Sequence, residues 1–109
     1  MATLEELAEI QTVSPGATEM REAGQVYIHL PTLALPEGCE PNRLEALLCL
    51  SSHSGYSTRL FLSQPIPARG KNWTSHCIFA KGWHTWSWNN VPANIPPIEI
   101  LVEHLRGLQ

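Results

Sequence analysis

Aspartate is missing from this chain: all ten of its acidic residues are glutamates. That excludes an EF-hand loop and, a Glu-substituted version aside, a Ser-His-Asp triad. No CxxC pair occurs either. Cys39, Cys49 and Cys77 lie ten and twenty-eight residues apart, a spacing that supports neither a zinc ribbon nor a redox motif and fits reduced thiols. No apolar run approaches the ~20 residues that span a bilayer. The acidic opening "MATLEELAEI" has the character of neither a signal nor a transit peptide. The sequon-like "NWT" at 72–74 is therefore read as chance, and a cytoplasmic protein without membrane contact is expected.

Acid is also absent locally. Residues 1–45 hold eight Glu against Arg21 and Arg43, whereas between Ala46 and Ile98 the only charges are Arg59, Arg69, Lys71 and Lys81. This acid-free stretch reads either as a docking surface for an acidic partner or as a solvated sheet face. Four bases in a chain of net charge −3 do not make a nucleic-acid-binding protein.

What is present fits one small domain: 109 residues, 43% hydrophobic, with nine prolines and seven glycines punctuating short elements. "LEELAEIQ" has helical character, with Thr3 and Glu6 placed for a capping box. Residues 12–24 read as a linker, so residues 1–24 form an N-terminal helix and linker arm and 25–109 the domain. "VYIHL" alternates as a strand. Pro31 to Pro41 bound an irregular connection, with Pro36 disfavouring a central strand. "LEALLCL", "STRLFLS" and "WTSHCIFA" complete four strand candidates, the last ending in a turn at "KG". "WHTWSW" follows as a short fifth extended piece. From Asn94 as N-cap, with Pro96 and Pro97 in the first turn, a helix presents Ile98, Leu101, Val102, Leu105 and Leu108. The expected fold is α+β: an antiparallel four-strand meander with this helix across one face and an N-terminal helix before it.

The candidate chemistry gathers in "NWTSHCIFAKGWHTWSW", residues 72–88, which holds all four tryptophans, Cys77, His76 and His84. On a strand, Cys77 shares a face with Trp73, Ser75 and Phe79 as a buried, inert thiol. On a loop beside His84 it becomes a nucleophile whose pKa Lys81 or His84 lowers. Cys49 reads as core and Cys39 as a surface thiol. His53, His76 and His84 with Cys77 match no zinc spacing, so no metal is expected. His29 and His104 read as surface or internally satisfied residues. Trp83, Trp86 and Trp88 read as core, or as an exposed binding patch. Asn89 and Asn90 suit a turn, or an amide donor to an oxyanion.

Several stretches between residues 25 and 108 resemble the prokaryotic ubiquitin-conjugating-enzyme-like (UBC-like) proteins of the bacterial branch called family E. They are "EALLCL", "GYSTRLFLS", the Pro/Gly-rich loop after it, the "GW-x-x-WS" pattern within "GWHTWSW", and the helix "IEILVEHLRGL". The resemblance implies a UBC fold and a role in bacterial ubiquitin-like modification linked to phage defence. A ubiquitin-like modifier, loaded by its activating enzyme, would be carried as a thioester on Cys77 and passed to an amine, with no cofactor. Cys77, with His84 beside it on a loop, is then the catalytic candidate, and the acid-free segment and tryptophan-bearing loop offer Trp83, Trp86, Trp88, Arg59 and Lys81 as the partner-binding set. The family's His-Pro-Asn tripeptide is absent here. A non-catalytic adaptor that holds a ubiquitin-like protein or its activating enzyme is therefore the alternative expectation.

Overall fold

The computed structural model describes residues 3–40, 42–51, 56–66, 73–86 and 91–108. Helix α1 (Leu4–Gln11) leads into strands β1 (Thr18–Glu22), β2 (Gln25–Ala34), β3 (Arg43–Cys49), β4 (Arg59–Leu62), β5 (Trp73–Ile78) and β6 (Lys81–Trp86), and helix α2 (Pro97–Arg106) closes the chain. The strands form one antiparallel sheet in the order β1-β2-β3-β4-β6-β5. This corrects the expected UBC-like four-strand meander: the sheet has six strands, and its last two are swapped in position so that β5 lies at an edge.

The two additional strands arise where the sequence gives weak signals. β1 is "TEMRE", part of the stretch expected as linker. It has no apolar alternation and is held by backbone pairing to β2, from Thr18↔His29 to Glu22↔Gln25. The final hairpin turns at Phe79–Ala80, not at the expected "KG", because Ile78 pairs with Lys81. Phe79 and Ala80 have φ of 52° and 58°. These are the left-handed angles that a two-residue turn needs to match strand twist, and Asn-Gly normally supplies them. β2 also runs further than expected, through Pro31 to Ala34. Its pairing with β3 shifts register between Leu30 and Leu33, the bulge that a proline lacking an N–H requires.

Alternation sorts the strand side chains onto two faces. Ile28, Leu30, Ala46, Leu48, Leu60, Leu62 and Trp86 join Ile10 of α1 and Ile100, Leu101 and Leu108 at the C-terminus in the main core. The Thr3–Glu6 capping box forms as the sequence implies. Helix α2 begins at Pro97 with Pro96 at its cap; Asn94 does not cap it. Its buried residues are Pro97, Ile100, Leu101 and His104, while Val102 is 45% exposed. Of the expected stripe, Leu101 and Leu108 are in the main core and Ile98 and Leu105 pack against it; Val102 alone points away, and Ile100 and His104 are buried in addition. Among the described residues, no helix is long and apolar enough to cross a membrane.

The opposite face carries a second cluster: Tyr27, Leu47, Cys49, Phe61, Ile78 and Trp83, with Phe79 against it. No helix covers it. The sheet covers it instead, by bending. β6 meets β4 at the single pair Leu62↔His84, and beyond that pair the β5–β6 hairpin folds back toward the first two strands. Its tip is fastened there. The Phe79 amide donates to Glu22 Oε2 at 2.8 Å, and the Phe79 ring packs edge-on against Tyr27 with centroids 5.5 Å apart.

Candidate functional site

The bend leaves a cleft of about 290 Å³ between the first three strands and the final hairpin, lined by Met20, His29, Glu45, Leu47, Phe79, Lys81 and Trp83. Each position follows from strand parity. Met20, His29, Glu45 and Leu47 lie on the second face of β1, β2 and β3 through the pairs Met20↔Tyr27 and His29↔Leu47. Lys81 and Trp83 are two residues apart on β6, so they share that face.

Within the cleft, polar groups are paired to one another. Glu45 Oε2 accepts from His29 Nε2 at 2.5 Å, and Glu45 Oε1 is bonded to the Lys81 ammonium. The Lys81 hydrogen bond is the main reason that the Glu45 carboxyl titrates below its ordinary range. Burial opposes this, and the His29 bond adds to it. Lys81 Nζ also sits 4.7 Å from the Trp83 ring centroid, and the indole N–H of Trp83 donates to Ile78 O at 3.0 Å. An apolar wall with a few fixed polar groups is the usual construction of a recognition pocket.

Cys77 is exposed, on edge strand β5, in regular register opposite Gly82. Parity puts it on one face with Trp73 and Ser75, as the strand reading required, but Phe79 lies in the turn and packs against Tyr27 on the other face, and the thiol is exposed, not buried. His84 stands on the same face as Cys77, two pairs along, opposite Ser75. Its Nδ1 is hydrogen-bonded to Ser75 Oγ at 3.2 Å, not to the thiol. His76 points to the other face and packs edge-on against Phe61 with centroids 5.5 Å apart; burial holds its pKa down, and Arg59 adds to that. His76 and His84 therefore cannot serve one metal with Cys77. Among the described residues no three His, Cys or Glu side chains converge.

The remaining sequence candidates separate. Trp83 and Trp86 are both buried and face opposite sides of the sheet, so they do not form an exposed patch. Trp88, Asn89, Asn90, His53, Arg69 and Lys71 lie outside the described residues. Arg59 is 4% exposed, which removes it from any docking surface. It reaches Trp86 O at 3.4 Å and stacks 4.1 Å from the Tyr56 ring centroid; among the described residues neither its Nε nor the Trp86 indole N–H has a hydrogen-bond partner. Burial lowers the pKa of its guanidinium. Cys39, expected at the surface, is buried with its thiol toward Leu108 O; Cys49 is core as expected. Sequence reasoning passed over His29 and Glu45 as site residues. The signal was available only as parity, and only in part: both lie on the face opposite the main core, but "VYIHL" alternates whereas "LEALLC" is a near-continuous apolar run.

No protein-family model, no curated protein and no solved structure matches the chain.

Proposed function

We propose that this chain is a protein-binding module of a bacterial ubiquitin-like modification pathway, holding a ubiquitin-like protein or its activating enzyme. The observation that carries binding over catalysis is the cleft. Its apolar wall suits an anchoring side chain, and no hydroxyl or thiol nucleophile stands among its described lining residues beside the His29–Glu45–Lys81 group. The partner class rests on the sequence resemblance of residues 25–108 alone. The reading needs neither metal nor small cofactor and implies work in the cytoplasm.

Thioester carriage by Cys77 is the second reading, favoured by one observation, the exposure of that thiol. Against it, His84 is bonded to Ser75, not to the thiol. The two readings separate on incubation with a ubiquitin-like modifier, its activating enzyme and ATP. The binding reading expects a complex and no covalent adduct, unaffected by Cys77→Ala. A reducible adduct that Cys77→Ala abolishes would overturn it and establish the carrier.

A further inference from the structure

The sheet has two edges, and they are built differently. In both terminal hairpins the turn is two residues long, Ala23–Gly24 and Phe79–Ala80, and the pairs that close them are Glu22↔Gln25 and Ile78↔Lys81. Closing pairs of this kind exchange both hydrogen bonds, and alternation then turns every second residue's amide and carbonyl away from the neighbouring strand. On β1 the outward-turned positions are Glu19 and Arg21, a charged couple 3.8 Å apart. On β5 they are Trp73, Ser75 and Cys77. Ser75 and Cys77 are exposed and have no backbone partner beyond β6 among the described residues.

Charge and proline are the usual means of guarding an edge. β1 "TEMRE" has three charged residues in five, whereas β5 "WTSHCI" has no Lys, Arg, Glu or Pro. We propose that β5 is a self-association edge: two copies of this chain pair their β5 strands antiparallel across a two-fold axis, joining two six-strand sheets into one. A second copy suits this edge because self-pairing sets like residues near one another, and β5 has no fixed charges to oppose. The guarded β1 edge accepts no further copy, so the assembly closes at a dimer. This surface is separate from the cleft and does not depend on the partner-binding reading.

Sedimentation velocity over a wide concentration range, with reductant present so that no Cys77 disulfide forms, tests the proposal. The native chain is expected to dimerise reversibly. Ser75→Pro removes an outward-turned N–H and the Ser75–His84 side-chain hydrogen bond but no backbone bond of the β5–β6 ladder, and it is expected to weaken dimerisation by more than about tenfold. Cys77→Lys places a charge on the edge, is expected to act likewise, and carries the test if the proline variant fails to fold. Arg21→Pro, at the other edge, is expected to remain dimeric. A native chain that stays monomeric at every concentration, or a dimer that survives both β5 substitutions, would overturn the proposal. So would loss of the dimer in Arg21→Pro.

Discussion

At the scale of single residues, the hairpin turn Phe79–Ala80 shows function of position overriding propensity. Two non-glycine residues hold left-handed angles, at roughly 1–2 kcal/mol each. Phe79 offsets its share by packing on Tyr27 and donating to Glu22, but the exposed Ala80 makes no such contact. Ala80→Gly is therefore expected to stabilise the fold by about 1 kcal/mol, read as a higher denaturant midpoint with unchanged slope. This turn was not legible in the sequence because it contains none of the residues that mark such turns. The eye goes instead to Lys81–Gly82, where Gly82 is an ordinary strand residue.

His104 gives a second prediction at this scale. The Thr58 hydroxyl donates to Val91 O at 2.9 Å, so its contact of 2.9 Å with His104 Nε2 is one in which the imidazole N–H donates. The ring is held neutral: burial, with Arg59 adding, lowers its pKa to about 4. Because the unfolded chain binds this proton more readily, the contribution is complete above the ordinary histidine pKa. It is lost as pH falls from about 6.5 toward about 4, to the extent of about 3 kcal/mol. Urea titrations across that window are expected to show the native chain losing stability relative to His104→Gln. Parallel pH curves for the two would contradict the assignment.

At the scale of elements, α2 was legible as a helix from its prolines and apolar spacing, and four of its five expected apolar positions meet the core, Val102 being the exception. An apolar stripe with leucine, isoleucine or valine at five positions spans more than a third of the helix circumference, and composition alone does not say where its margin lies. The structure chooses Ile100, Leu101 and His104 and leaves Val102 in solvent. Ile100→Ala is expected to cost about 2–5 kcal/mol, whereas Val102→Ala is expected to cost under ~0.5 kcal/mol; thermal melts of the pair measure the difference directly. Strand β1 failed as a sequence reading for another reason. Edge strands held by backbone pairing need no alternation, and charges placed to guard an edge look like a linker.

At the scale of the whole molecule, the segments of β2 to β5 and of both helices could be read from alternation, the α1 capping box and the α2 prolines, but neither the six-strand order nor the cleft could. It depends on the bend at Leu62↔His84, which brings Lys81 to Glu45 and His29 from far along the chain. The acid-free middle segment reads in sequence either as a docking surface for an acidic partner or as a solvated sheet face. In three dimensions Arg59 is buried and Lys81 is paired with an acid just outside that segment, Glu45. That exposed pair is worth at most about 1 kcal/mol, so Lys81→Ala is expected to leave the fold intact while weakening partner binding. Met20 offers the most direct test of the cleft as the binding surface. It lies at the cleft wall, 36% exposed, on edge strand β1, so Met20→Glu alters the wall without disturbing either core. The measurement is a calorimetric titration of the native chain and Met20→Glu with the ubiquitin-like modifier and with its activating enzyme. The native chain is expected to bind one of them, and Met20→Glu to bind it more than about tenfold more weakly. Equal affinity of the two chains, or no binding by the native chain, would contradict the account.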